Sequence, residues 1–389
     1  MGSGHSKERK DFQIGKASEF YWACRNGDYQ KVKHLLVHLN FEQLSQIEPN
    51  GSTALHAATH NGHYKIVELL LKQGCPRITL NRFGHTAYEE AQTEQMRAVF
   101  HRQTHQRFVD ENPIESFELT SKSSDDKQTT DDVPDDWVKG YTTKRGAHEA
   151  NLMHAIGKAS LIMRKVLQTR LEKDFKEEFE NFLEKTIHND DPYRSNVLKY
   201  FNKYKEEKSV ESLFTLYTME TPIYGALQND CEMFIALLYM HLPALKDRVY
   251  QSIAYRGARM TYDDLHAYRW TLVQHRSVLE TRTIQSMSKN KHKALEFATQ
   301  MHTSKPYSIL LIYHFPQICR TAIDLTKISE TKTALSEYED EEEVTLLPFT
   351  LFQISDIKVD TKNNKHYRIT LQNIPVEKKS IVGALLDME

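Results

Sequence analysis

Three short motifs in the second half of the chain combine residue types that could act on a charged substrate. They are Arg256-Gly257, Ser286-Met287-Ser288 and Glu341-Glu342-Glu343, in that order. An arginine presents several hydrogen-bond donors in a fixed fork that suits anionic oxygens, and a carboxylate can stabilise a cation that develops during a reaction. Taken singly, the same motifs also fit a surface arginine, a strand end and a solvated acidic turn. Their order and their surroundings must decide between these interpretations.

Sequence patterns around the motifs predict the elements that must position them. Alternation, or a run of β-branched and aromatic residues, predicts strands over residues 249–257, 281–288, 307–313, 341–348 (entered from an acidic turn) and 366–371. Apolar residues spaced three and four apart predict helices over residues 152–183, 196–207 and 223–242. The motifs therefore lie in a region that is first helical and then rich in strands.

The front of the chain contains a repeat with a period of about 33 residues. Residues 51–58 and 84–91 share the pattern Gly-x-Thr-Ala-x-x-x-Ala, and residues 20–36 follow the same layout more loosely. This pattern resembles ankyrin repeats, which implies a stack of helix pairs that binds a protein partner. We expect Thr53 and Thr86 to cap the first helix of their repeats, since a threonine hydroxyl can accept from a free backbone N–H there.

Three histidines lie close together in the best repeat and could suggest a metal site. They are His56, His60 and His63. Ankyrin repeats commonly carry histidine at the position of His56, so the resemblance favours a structural histidine over a metal ligand.

An acidic segment separates the two halves of the chain. Residues 110–136 contain ten acidic residues against two lysines, together with many Ser and Thr. Few apolar residues and self-repelling charge predict a flexible tether. The predicted organisation is an N-terminal tail over 1–16, ankyrin repeats over 17–102, an acidic linker over 103–136, a second domain over 137–378 and a C-terminal tail over 379–389.

The order of the three motifs resembles the R-S-E class of mono-ADP-ribosyltransferases. Flanking segments that agree with this family are Tyr217-Thr218, Pro222-Ile223-Tyr224, Ala294–Ala298, Ala322–Asp324 and Glu343–Phe349. The resemblance covers roughly residues 137–375. It implies a multidomain α and α+β chain, in which ankyrin helical repeats precede a mixed α+β ADP-ribosyltransferase domain with a helical lobe and two packed β-sheets.

The resemblance also implies a role for each motif in the cleavage of NAD, which would be a substrate, with no metal expected. Glu343 would stabilise the oxocarbenium-like cation that forms when nicotinamide leaves the ribose. Arg256 would hold a diphosphate or ribose oxygen of NAD, and Gly257 would let the backbone approach the nicotinamide amide. Ser286 and Ser288 would support NAD and orient Glu343.

Glu341 points to the acceptor of the ADP-ribose. In this family, a glutamate two positions before the catalytic one goes with transfer to arginine, whose guanidinium a carboxylate can bind. Glu341 lies two residues before Glu343, and alternation along a strand predicts that both side chains point to the same side of it. A second register pairs Glu339 with Glu341. We prefer 341 and 343 because Glu343 directly precedes the Val-x-Leu-x-Pro stretch of the strand, residues 344–348. The preferred function is therefore transfer of ADP-ribose from NAD to arginine on protein targets.

Two other functions stay open at this point, and composition limits the rest. Water could intercept the ribosyl cation, which would make the protein an NAD glycohydrolase, or the second domain could be an inactive binding scaffold. The net charge of −2 argues against a dedicated nucleic-acid binder. Four scattered cysteines without a CxxC pair favour a reducing, cytoplasmic location.

The first six residues, Met1-Gly2-Ser3-Gly4-His5-Ser6, fit the pattern for N-myristoylation at Gly2. One myristoyl chain holds a protein to a membrane only marginally, so membrane association would need a second signal. A polar tail or a cloning scar explains the same residues equally well.

Overall fold

The computed structural model describes residues 16–102, 117–120, 161–229, 231–273, 278–300, 305–360 and 363–375. Gly2, the predicted C-terminal tail and most of the predicted linker lie outside these ranges. The chain divides into two compact units. The first comprises residues up to His101 together with Asp190–Leu198, and the second comprises Arg102–Asn189 and the chain from Lys199 onward. Among the described residues, none of the helices is both long and apolar enough to span a bilayer.

The first unit consists of short helices joined by tight turns. Its helices are α1 Glu19–Asn26, α2 Tyr29–Leu36, α3 Phe41–Leu44, α4 Ala54–His60, α5 Tyr64–Lys72 and α6 Glu94–Val99. Thr53 caps α4 as predicted, because its hydroxyl accepts from the backbone N–H of His56. Thr86 accepts from the N–H of Glu89 in the same way, but the residues that follow form a turn rather than a helix.

His56 is built into the hydrogen bonding of its repeat. The side chain is 1% exposed. Its Nδ1 lies 2.8 Å from the hydroxyl of Thr53, and its Nε2 lies 3.0 Å from the carbonyl oxygen of His85. Burial lowers the pKa of His56, although the bond to His85 opposes that shift. The ring therefore links the start of α4 to the next repeat in its neutral form.

Residues 190–198 belong to the first unit although they lie within the predicted second domain. The hydroxyl of Tyr193 donates to the carbonyl oxygen of Leu71 at 3.1 Å, and the side-chain amide of Asn196 donates to that of Gly74. Gly74 has a φ of +77°, and a Cβ there would lie 2.3 Å from the carbonyl oxygen of Pro192. Glycine therefore allows both the turn and the close approach.

The second unit begins with a helical part. Its helices are α7 Leu161–Thr186, α8 Arg194–Glu207 (whose first turn counts with the first unit), α9 Val210–Thr218, α10 Pro222–Asn229, α11 Glu232–Met240, α12 Tyr262–Val273 and α13 Lys291–Gln300. Residues 152–160 of the predicted first helix lie outside the described ranges. The predicted helix over 223–242 is instead the two helices α10 and α11.

The described strands of the second unit form one hydrogen-bonded sheet. They are β1 Phe117–Thr120, β2 Val249–Tyr250, β3 Ile253–Met260, β4 Val278–Thr281, β5 Gln285–Ser288, β6 Tyr307–His314, β7 Cys319–Asp324, β8 Glu343–Leu346, β9 Leu351–Val359 and β10 His366–Asn373. Their order is β1-β4-β9-β10-β6-β3-β5-β8-β7-β2. The two halves meet at β3 and β5, which pair through Tyr255 and Ser288. The predicted order of ankyrin repeats followed by a mixed α+β unit is confirmed.

Strand β1 lies inside the segment predicted to be a flexible tether. It pairs antiparallel with β4, with Phe117 opposite Thr281 and Thr120 opposite Val278. Residues 117–120 alternate apolar and polar side chains, as an edge strand does. The prediction of a tether rested on the acidic composition of the whole segment and passed over this short alternation.

Candidate active site

All six residues predicted for the site line one cavity in the second unit. The walls are Tyr255, Arg256, Gly257, Ser286, Met287, Ser288, Glu341 and Glu343. The free volume of about 10 Å³ is close to what a single water molecule needs.

Strand β3 brings Arg256 and Gly257 to the junction between the two halves of the sheet. The Nη1 of Arg256 donates to the backbone carbonyl of Ser286 at 2.7 Å, which ties β3 to β5. A Cβ on Gly257 would lie 2.0 Å from the carbonyl oxygen of Ala294 and 2.7 Å from the amide of Ala298. The backbone that Gly257 allows to approach in this structure is thus that of α13.

The register between β5 and β8 places the hydroxyls and the carboxylate on one face. Ser286 pairs with Thr345, and Ser288 pairs with Glu343. Because side chains alternate along a strand, these four residues share a face. Met287 lies on the opposite face, in the hydrophobic core.

Glu343 is a buried carboxylate with hydrogen-bond donors on both oxygens. It is 1% exposed. The hydroxyl of Ser336 donates to Oε2 at 3.2 Å, and that of Thr345 donates to Oε1 at 3.4 Å. Sequence reasoning missed both donors. Thr345 could have been found from its position two residues along the strand, whereas no linear pattern points to Ser336.

The two motif serines also contact other groups. The hydroxyl of Tyr217 lies 3.3 Å from that of Ser286. Helix α9, which precedes the sheet in the chain, therefore contributes a side chain to the site. Ser288 accepts from the backbone N–H of Asn290 at 2.9 Å, at the entrance to α13. Ser288 therefore shapes the turn that places α13 against β3.

Glu341 reaches the cavity by a different route from the one predicted. Residues Glu339–Glu341 form a 3₁₀ turn, and Glu342 adopts a left-handed conformation with φ of +44°. The chain thus turns before β8 begins at Glu343, and strand alternation does not set the direction of Glu341. Among the described residues, the cavity walls include Glu341 and Glu343 but not Glu339.

Glu341 forms a buried ion pair with Arg102, a residue that sequence reasoning did not single out. The Nε of Arg102 donates to Oε1 at 2.8 Å, and Nη2 donates to Oε2 at 3.2 Å. The two side chains are 3% and 4% exposed. Burial is the largest single effect and would lower the pKa of Arg102. The charge and hydrogen bonds of Glu341, together with Tyr338 and Glu343, outweigh burial, so the pKa lies above its usual value. No sequence pattern links positions 239 residues apart.

Comparisons with known proteins identify the first unit. The family model described as ankyrin repeats (3 copies) matches residues 20–100. Over 74 residues, the chain is 36% identical to the human NAD-capped RNA hydrolase NUDT12 and 39% identical to human ankyrin repeat domain-containing protein 39. These matches cover 19% of this chain, but only 16% and 37% of the two relatives.

Two solved ADP-ribosyltransferases and a type III effector are among the similar structures. The Vis toxin of Vibrio splendidus is 20% identical with a TM-score of 0.28, covering 54% of this chain and 85% of its own. HopU1 of Pseudomonas syringae is 14% identical with a TM-score of 0.32, covering 46% and 82%. The effector XopAI of Xanthomonas axonopodis is 15% identical with a TM-score of 0.35, covering 53% and 88%. What the comparisons assign is the first unit: residues 20–100 are ankyrin repeats, as their Gly-x-Thr-Ala pattern predicted.

Proposed function

We propose that the second unit is a mono-ADP-ribosyltransferase that transfers ADP-ribose from NAD to arginine side chains of proteins and releases nicotinamide. The observation that carries the proposal is the convergence of Arg256-Gly257, Ser286-Met287-Ser288 and the pair Glu341 and Glu343 on one cavity. The three motifs come from β3, β5 and the turn before β8. Chance motifs would have no reason to share a wall.

Glu343 is suited to the cleavage of the bond between nicotinamide and ribose. Its carboxylate is buried, and the hydroxyls of Ser336 and Thr345 hold both oxygens. A fixed charge in a site that excludes water stabilises a developing cation more strongly than the same charge in solvent. Arg256 lines the same cavity and can bind a diphosphate or ribose oxygen of NAD.

Glu341 is suited to the acceptor. Its carboxylate lines the same cavity as Glu343, and it binds a guanidinium through both oxygens in this structure. An incoming arginine bound in that way would be oriented toward the ribose carbon. The nitrogen that attacks must lose a proton, which Glu341 can accept.

The test is an assay with NAD labelled in the adenosine half and with agmatine as the guanidino acceptor. We expect Glu343→Gln to lower NAD cleavage by at least about a hundredfold. Glu341→Gln should lower the yield of the agmatine adduct by at least about tenfold while free ADP-ribose still forms, because the acceptor loses the carboxylate that binds it and Glu343 is kept. The matched control is Glu342→Gln, whose exposed side chain lies between the two and should leave both reactions unchanged.

The outcomes separate the rival functions. Free ADP-ribose without an agmatine adduct would favour an NAD glycohydrolase. No NAD consumption by the wild type would favour an inactive scaffold, and full activity of Glu343→Gln would place the reaction elsewhere.

The ankyrin repeats supply the second part of the proposal, a module that binds a protein partner and positions arginine-bearing targets.

The four cysteines bear on the proposed location of the protein. Cys24, Cys75 and Cys319 are buried and Cys231 is partly exposed, and all four are free thiols. The cytoplasmic location and the membrane association through Gly2 remain predictions. The mass of the intact protein made in a myristoylating host would test the second.

A further inference from the structure

The carboxylate that is proposed to receive an acceptor arginine already holds one from the same chain. Arg102 donates from Nε to one oxygen of Glu341 and from Nη2 to the other. This is the parallel two-bond geometry in which a guanidinium binds a carboxylate most strongly. Both oxygens therefore have a partner before any external arginine arrives.

Further contacts hold Arg102 in place within the second unit. Its Nη2 also donates to the carbonyl oxygen of Thr218 at 3.1 Å. Its guanidinium carbon lies 3.7 Å from the centre of the Tyr338 ring, the geometry of a cation–π contact. The guanidinium is thus bound on its edge by oxygens and on its face by an aromatic ring.

The binding of Arg102 differs from that of an arginine with a purely structural role. Arg248 is equally buried, but its two Nη atoms donate to the backbone carbonyls of Asp324, Thr326 and Thr333, and only its Nε reaches a carboxylate, that of Glu211. Arg102 instead directs Nε and Nη2 at one carboxylate in the wall of the cavity. An arginine of a protein target would need the same pair of hydrogen bonds to bind Glu341.

We propose that Arg102 occupies the acceptor subsite as an internal competitor, so that an external arginine must displace it before Glu341 can bind the incoming guanidinium. This inference rests on the proposed function, because it takes Glu341 to be the acceptor residue. The apparent affinity for an acceptor is then the intrinsic affinity multiplied by the fraction of time that Arg102 is away from Glu341. Exchange of one guanidinium for another leaves the buried carboxylate paired, which keeps the cost of exposing it low.

The first test measures the KM for agmatine with NAD saturating, in the full chain. Arg102→Ala should lower this KM by at least about tenfold if Arg102 is bound for more than nine-tenths of the time. Arg102→Lys should give an intermediate value, because an ammonium cannot bridge both carboxylate oxygens in the same way. The matched control is Arg97→Ala in α6, which removes an arginine that pairs at the surface with Glu94 and should not change the KM.

The second test needs no variant and therefore does not depend on the folding of Arg102→Ala. Hydrogen–deuterium exchange of the wild type is compared with and without saturating agmatine, each with NAD present. Displacement of Arg102 should raise exchange in the peptide that contains it. The peptide that contains Arg248 serves as the internal control and should not change.

Each remaining outcome decides against a particular claim. If the wild type makes the agmatine adduct but neither Arg102 variant lowers the KM, or exchange at Arg102 does not rise, the competitor is overturned and the transferase stands. If NAD alone places ADP-ribose on Arg102, that residue is an acceptor and not a competitor. If no form of the protein modifies agmatine while NAD is hydrolysed, arginine transfer itself fails, and the competitor fails with it.

Discussion

The candidate site depends on how its buried carboxylate is held. Glu343 is almost completely buried, and a buried polar group that lacks partners is costly. Ser336 donates to Oε2 of Glu343 and also accepts from the backbone N–H of Tyr338 at 3.2 Å. The loop before β8 is thereby tied to the carboxylate through one hydroxyl. Ser336 is a positioning residue, acting on the reaction through Glu343.

We expect Ser336→Ala to lower kcat for NAD cleavage by about tenfold, since the loss of one hydrogen bond to a charged group costs about 1.5 kcal/mol or more. The KM for NAD should change little, because Ser336 contacts the carboxylate and lies outside the set of walls of the cavity. Ser336→Thr, which restores a hydroxyl, should recover part of the rate. Ser329→Ala is the control at an exposed position. A lower thermal stability without a change in kcat would assign Ser336 a structural role only.

At the scale of elements, regular strands are predictable and interrupted ones are not. The predictions over 307–313 and 366–371 agree closely with β6 and β10, because both strands have a continuous pattern. Strand β9 has no prediction. Its pairing with β10 shifts register at Thr370 and Leu371, which face Asp356 and Ile354, so that Ser355 is an extra residue. Such a bulge moves the apolar positions by one and breaks the alternation by which a strand is recognised.

The contact between β3 and α13 explains why position 257 requires glycine. We expect Gly257→Ala to lower the free energy of unfolding by about 1–3 kcal/mol, since its methyl group would overlap the backbone of α13 at Ala294 and Ala298. Displacement of α13 would also disturb the cavity and lower NAD cleavage. Gly225→Ala in α10 is the matched control, because a Cβ there meets nothing within 4 Å and alanine favours a helix. Chemical denaturation measures both, and equal effects would argue against the overlap.

The buried histidine of α4 makes the first unit sensitive to pH. The pKa of His56 is lowered in the folded state by burial. Below the unfolded pKa of about 6.5, the unfolded chain therefore binds a proton that the folded chain resists, and stability falls as pH falls. We expect amide protection in α4 and α5 to decrease between about pH 7 and pH 5.5, after correction for intrinsic exchange. His56→Gln, which does not titrate, should lose less protection, while exposed His60→Gln should behave as the wild type does.

At the scale of the whole chain, the sequence predicts where the repeats and the cavity residues lie. It predicts only part of the division of the chain into two units. Repeats and motifs are local patterns, and they located the ankyrin repeats and six residues of one cavity. The pairing of Arg102 with Glu341 and the assignment of residues 190–198 to the first unit depend on contacts between distant parts of the sequence. Neither periodicity nor composition contains that information. The first unit is consequently built from two separate stretches of chain.

This construction predicts that a residue far from the repeats stabilises them. Asn196 is 1% exposed, and its amide donates to the carbonyl oxygen of Gly74. Asn196→Ala would leave that carbonyl without this donor, at a cost of about 1–3 kcal/mol. Amide exchange in α5 and the turn after it should therefore accelerate by about fivefold to a hundredfold. Asn202→Ala, exposed on the same helix α8, is the matched control and should leave this exchange unchanged. If both variants leave α5 equally protected, the hydrogen bond from Asn196 to Gly74 contributes nothing measurable to the stability of the repeats.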